Sequence, residues 1–263
     1  MPYLDVDDIT LYYEDEGTGP ALLFLHGWGT SGLTWGAQLP DFTRDHRVVT
    51  LDWRGCGRSD RPVRGNIIAE VVGDLVALIG ALRLDRPVVV GSSMGAVFAA
   101  ELAVQRPELI GGVVAVGGPG YWPTTKAQAQ AELVADLRRD RAGTVAGWVP
   151  KWYAPGTSPA LIDWTVRQIL DSGVYIDEHQ ATAVGYDPRP TLPGLQVPIH
   201  YIHGELDAIP LEVARTCAAL TPGAEVTAIV GSGHLPHQEL PDEFNAALRA
   251  ALARMAPAAR AVA

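Results

Sequence analysis

A chain of 263 residues, 48% hydrophobic and 19% charged, is long enough for one large domain, or for one domain with an insertion, and its composition excludes disorder or a small stapled scaffold. The formal net charge of −10 disfavours a nonspecific grip on nucleic acid or on anionic membrane surfaces, since both need a basic face. The two cysteines, Cys56 and Cys217, are spaced for neither a metal site nor a redox pair; with no leader-like N-terminus and no run near the ~18 apolar residues of a span, a cytoplasmic protein with reduced thiols is expected.

The first segment, Leu4 to Glu14, alternates apolar and polar residues and reads as an antiparallel hairpin exposed on one face. A buried strand follows at Ala21–Leu25 and runs into His26-Gly-Trp-Gly29, where a buried His26 is expected to brace the turn. The next strand, Val48–Leu51, leads to Asp52-Trp-Arg-Gly-Cys-Gly-Arg-Ser-Asp60. In that loop glycines permit tight turns, Arg54 and Asp60 can pin neighbouring loops, and Cys56 is expected to be a packed thiol. Ala69–Leu82 is the first helix between strands.

Strand Val88–Val90 is followed by Gly91-Ser-Ser-Met-Gly95 and then by a helical run, Met94–Gln105. Gly-x-Ser-x-Gly between a strand and a helix is the context a nucleophile elbow requires: a sharp, strained turn exposes the central hydroxyl at a helix N-terminus, and small residues must flank it. Ser93, not Ser92, holds the central position. A serine hydroxyl is a poor nucleophile alone, so a histidine base and an acid are required further on.

Strand Val113–Val116 runs into Gly117-Gly-Pro-Gly-Tyr121, which offers no carboxylate. From 119 to 193 no buried-strand run occurs. Amphipathic pieces at Lys126–Arg141 and Pro159–Ser172 point to an inserted helical cap, closed by the proline-rich Asp187–Pro193. The expected division is therefore a core of residues 1–118 and 194–263 and a cap of 119–193. Cap aromatics, with Trp122, Trp148, Trp152 and Tyr153 as candidates, either pack the cap's own core or line an apolar pocket.

Strand Ile199–Ile202 is followed by His203-Gly-Glu-Leu-Asp207, which supplies the acid: Asp207, with Glu205 as its local competitor. A sixth buried run, Val226–Val230, leads to Gly231-Ser-Gly-His234, and His234 is the base. His237, at the start of the last helix (Asp242–Met255), is expected to pack or cap there. Two backbone N–H groups, those of Met94 and Trp28, are the expected oxyanion donors.

Taken in order, His26-Gly27, Asp52–Asp60, Gly91–Gly95, Gly204-Glu-Leu-Asp207 and Gly233-His234 resemble the α/β-hydrolase superfamily, in the branch of carboxylesterases and cofactor-free haloperoxidase or perhydrolase-like enzymes. The resemblance spans nearly the whole chain outside the cap. Ser92 stands where many relatives carry His, and Ala96 where many carry Gly. It implies an α/β-hydrolase fold, a mostly parallel sheet flanked by helices with an inserted helical cap, and a Ser93–Asp207–His234 triad that needs no cofactor or metal. The implied partner is a small, apolar ester or lactone. Perhydrolysis, C–C bond hydrolysis, cofactor-independent dioxygenation and a non-catalytic ligand receptor are the alternatives on the same scaffold.

Overall fold

In the computed structural model, which describes residues 2–118, 121 and 124–255, the described residues form one sheet of eight strands. They are β1 (Tyr3–Val6), β2 (Ile9–Glu16), β3 (Ala21–Leu25), β4 (Arg47–Asp52), β5 (Val88–Ser92), β6 (Gly112–Val116), β7 (Ile199–Gly204) and β8 (Glu225–Ile229). Their order is β1-β2-β4-β3-β5-β6-β7-β8. β1 and β2 make the antiparallel hairpin and β2 joins β4 antiparallel, while every pair from β4 onward is parallel.

Period-2 alternation splits the strand side chains between two cores. Leu23, Leu25, Val49, Leu51, Val89, Val113 and Tyr201 point to one face, covered by α2 (Ile68–Ala81), α3 (Met94–Gln105) and α8 (Leu211–Leu220). Leu22, Phe24, Val48, Val90, Val114 and Ile202 point to the other, where Trp35, Phe42 and helix α10 (Pro241–Met255) pack. The short helix α1 (Leu39–Phe42) brings Phe42 there. Burial on both faces is why the central strands read as continuous apolar runs. β8 differs: it was expected as a buried run, but it is the edge strand, with Glu225 and Ala228 exposed and Val230, just beyond it, 73% exposed.

β3 has β4 on one side and β5 on the other, so the chain reverses its direction of travel across the sheet at this point. Crevices at the carboxyl ends of strands around such a reversal are the favoured ligand sites of open α/β sheets. The register brings the relevant turns together: Leu25 pairs with Gly91, and Ser92 with Val116.

Between β6 and β7 the described chain is helical: α4 (Thr124–Arg139), α5 (Arg141–Trp148), α6 (Pro159–Asp171) and α7 (Asp177–Val184). The helical piece expected over Lys126–Arg141 corresponds to α4, and a separate helix, α5, starts directly after it. Asp140 separates the two, because its carboxylate accepts the Gly143 N–H at 2.9 Å and caps α5 instead of continuing α4. This layer is tied to the sheet-bearing part by polar contacts. Gly173 donates to the Gly55 carbonyl (2.8 Å), Ser31 Oγ to Gln168 Oε1 (2.7 Å) and the Trp28 indole to the Ile176 carbonyl (3.3 Å). The last helices are α9 (Pro236–Glu239) and α10. No helix among the described residues is long and apolar enough to cross a membrane.

Candidate active site

Ser93 is the hinge between β5 and α3, with φ 52° and ψ −112°, a left-handed conformation that a residue with a Cβ adopts only under constraint. The Ser93 N–H donates to the Val116 carbonyl at 2.8 Å, which holds the turn against β6. The flanking glycines are sterically required. A Cβ at Gly91 would collide with the Gly95 carbonyl, and one at Gly95 with the carbonyls of Leu25 and His26.

Three side chains from the ends of three strands then meet. His234 Nε2 is 2.9 Å from Ser93 Oγ, and His234 Nδ1 is 2.8 Å from Asp207 Oδ2. The Asp207 side chain is fully shielded from solvent and its other oxygen accepts the Ile209 N–H at 2.8 Å. The loops after β7 and β8 approach closely because Gly204 has no side chain to strike the Gly233 and Ser232 carbonyls. Gly117, at φ +59°, stands where an acid following β6 would have to be; a Cβ there would lie 3.1 Å from His234 Nδ1. Glu205 instead accepts the Gly231 N–H at 3.0 Å, an exposed brace between loops.

Burial favours the neutral imidazole of His234, but the Asp207 carboxylate, through its charge and its hydrogen bond, together with Glu239, outweighs burial and raises the pKa above 6.5. The other two expected histidine placements have the opposite balance. His26 is buried, Nδ1 2.8 Å from the Gly27 carbonyl, its ring stacked on Trp53, and burial pushes its pKa down to about 3. His237 is stacked on Trp35 and likewise lowered to about 3 by burial, then by the nearby His234. Cys56 is fully buried, which pushes its thiol well up.

Two residues of the site escape a reading of the sequence. Glu239, on α9, accepts the N–H groups of Ala154 (2.8 Å), Gly233 (3.1 Å) and Leu235 (3.2 Å), gathering the turn that carries His234. His203 Nε2 lies 3.3 Å from Asp207 Oδ2 and 2.8 Å from the Ile209 carbonyl. Only the position of Glu239 in a first helical turn hinted at backbone N–H contacts.

A cavity of about 610 Å³ opens beside Ser93. Trp28, Trp148 and Trp152 form an aromatic wall, with Trp148 edge-on to Trp152 at 4.9 Å and tilted against Trp28 at 5.8 Å. Met94 and Val97 of α3 and Tyr186 complete the apolar lining, while the exposed Glu132 and Lys151 add charge. Tyr153, expected on this wall, does not line it. It is buried elsewhere, its hydroxyl 2.6 Å from Thr165 Oγ1 and 2.9 Å from Gln238 Oε1, because a buried phenol must satisfy its O–H. Trp122 lies outside the described residues. The N–H of Met94, first residue of α3, is one of the donors that a helix leaves without an internal partner. The turn carrying Trp28 passes close by, since a Cβ at Gly27 would sit 3.6 Å from Ser93 Cβ.

Residues 22–247 match the Alpha/beta hydrolase family. The chain belongs to this family. It is 27% identical to AB hydrolase superfamily protein YisY of Bacillus subtilis, over 91% of this chain and 94% of that protein. It is 26% identical to 3-oxoadipate enol-lactonase 2 of Acinetobacter baylyi, over 95% and 96%. Among solved structures, the bromoperoxidase from Bacillus anthracis superposes with a TM-score of 0.87 at 26% identity, covering 93% of this chain and 96% of that one.

Proposed function

We propose that this α/β hydrolase cleaves a small carboxylic ester or lactone through an acyl-enzyme on Ser93. The observation that carries the reading is the unbroken hydrogen-bonded series Ser93–His234–Asp207 at the wall of a cavity large enough for a small ester. Enol-lactonase and esterase relatives support the substrate class.

In the first half-reaction Ser93 Oγ attacks the carbonyl carbon while His234 Nε2 takes its proton; Asp207 holds Nδ1–H and stabilises the imidazolium without taking the proton itself. The oxyanion accepts hydrogen bonds from the Met94 and Trp28 N–H groups. Nε2 then gives its proton to the leaving alkoxide, or to the ring oxygen of a lactone. In the second half-reaction water attacks the acyl carbon with His234 again as base, and the C–Oγ bond breaks. The Trp28, Trp148 and Trp152 wall takes the acyl group, and residues 119–193 act as a cap that shapes its space.

A second reading is favoured by the bromoperoxidase neighbour: hydrogen peroxide, instead of water, accepts the acyl group from the same intermediate. Both require the covalent adduct. Intact-protein mass after brief exposure to an activated ester is expected to show an acyl adduct on the wild type and none on Ser93→Ala. A protein that turns over ester without an adduct at Ser93, even on rapid quenching, overturns the proposal.

A further inference from the structure

A second, much smaller chamber lies against the same pair of side chains. Its volume is about 10 Å³, which is room for one water. Trp28, Ser93, Trp152 and His234 line both this chamber and the large cavity, so they form the partition between the two. The rest of the small chamber's wall is mostly apolar but includes the side chains of Thr30, Thr34, Ser92, His237 and Gln238. Ser92 is fully buried and its Oγ has no partner among the described residues, and the same holds for His237 Nδ1 and the shielded Gln238 Nε2. All three residues line this chamber. A buried polar atom left unpaired costs free energy, and three of them belong to residues that line this one water-sized space. Gln238 is turned toward this role, because the Tyr153 hydroxyl holds its Oε1 at 2.9 Å and leaves the amide nitrogen to donate elsewhere.

We infer that this chamber seats the water that hydrolyses the acyl-enzyme, with Ser92, His237 and Gln238 as its positioning residues. The inference rests on Ser93 being the nucleophile. The ligand set matches water: Gln238 Nε2 donates to it, Ser92 Oγ donates or accepts, and His237 Nδ1 and Ser92 offer acceptors for its two hydrogens, giving the two to four contacts a buried water makes. Once the alcohol has left through the large cavity, this water loses a proton to His234 Nε2 as its oxygen bonds to the acyl carbon. The tetrahedral intermediate then collapses with cleavage of the C–Oγ bond, and Nε2 returns the proton to Ser93 Oγ. Acylation makes no use of the chamber, so Ser92, His237 and Gln238 act on the second half-reaction alone.

Filling the chamber with Ser92→Val tests this, and Gln238→Leu, on α9, tests it without altering β5. The full-length protein is assayed with an activated ester in buffer containing methanol, which is too large for the chamber and reaches the acyl-enzyme through the substrate cavity. In both variants labelling of Ser93 by a serine-directed phosphonate should stay within about threefold of wild type, while the ratio of methyl ester to acid product rises about fivefold or more and the acyl adduct accumulates. A purely structural role for Ser92 and Gln238 would lower labelling and hydrolysis together and leave the product ratio unchanged, which would overturn the inference. If one variant does not fold, the product ratio of the other decides. If the wild type itself forms no adduct, the reading of Ser93 fails first and carries this inference with it.

Discussion

At the scale of single residues, the decisive group is a carboxylate that water does not reach. Asp207 has one oxygen committed to the Ile209 N–H and the other to His234 Nδ1, so the imidazole can present only Nε2 to Ser93. Asp207→Asn would offer an amide N–H to Nδ1, favour the wrong tautomer and lower kcat by about three to four orders of magnitude with the fold retained. The pH profile carries a second consequence. The proposed mechanism needs neutral His234, whose pKa is raised above 6.5, so on that mechanism the acidic limb of kcat/KM should lie above that value and activity should fall as pH drops through it. Without the Asp207 charge that limb should move to lower pH in the residual activity of the variant. An unmoved limb would mean that another group titrates. Ser93, Asp207 and His234 could be proposed from the sequence because each stands in a glycine-containing turn after a strand, where a parallel sheet gathers loop residues at one edge. Glu239 and the true place of Tyr153 were not, since their contacts with Ala154 and Gln238 join positions 85 apart and no local pattern records them.

At the scale of elements, the loop after β4 shows how a buried charge can fix a turn. Arg54 donates to both oxygens of Asp74 on α2 at 2.7 Å, and Nη1 also donates to the Gly65 carbonyl at 3.1 Å. Asp74 is 1% exposed and the Arg54 side chain 8%. The same loop passes its Gly55 carbonyl to Gly173 in the helical layer, so the position of the loop sets where that layer docks. Asp74→Asn leaves a buried guanidinium without its bidentate carboxylate, with only the exposed Glu70 3.8 Å away; truncating one partner of such a pair costs about 3–5 kcal/mol. Thermal melts should show a drop of several degrees. An unchanged midpoint would mean that the pair adds nothing over its neutral replacement. The role of Arg54 as a pin was foreseeable from its glycine-rich loop, but its partner was not, because Asp74 lies 20 positions on and no local pattern joins the two. The end of α4 was legible to within two residues, while the restart as α5 shows only in the capping contact of Asp140 to Gly143.

At the scale of the whole molecule, buried histidines make the fold sensitive to acid. His26, His179 and His237 are each held near a pKa of about 3 by burial, against an ordinary value of 6.5. They join different parts of the structure. His26 braces the turn after β3, His237 packs under α10 against Trp35, and His179 on α7 wedges edge-on between Trp53 and Phe98 of the sheet-bearing core. His179 has both ring nitrogens without a partner among the described residues, and Arg54 nearby adds to the penalty for charging it. Below pH 6.5 the unfolded chain binds these three protons and the folded one does not, so stability is full above about 6.5 and falls toward the folded values near 3. With all three groups engaged the slope is about 4 kcal/mol per pH unit, from roughly 1.4 per proton. Burial also lowers His200 and His203, which steepens the fall, whereas the raised His234 is stabilised by protonation and offsets part of it. Urea unfolding at pH 7, 6 and 5 should therefore show a steep loss well before most carboxylates protonate. His179→Phe isolates one contribution: it keeps a ring between Trp53 and Phe98 but cannot be charged, so its stability relative to wild type should improve by about 1.4 kcal/mol for each pH unit below 6. A constant offset at all three pH values would show that His179 takes up its proton without leaving its place, and that the helical layer is not held to the core by a neutral imidazole.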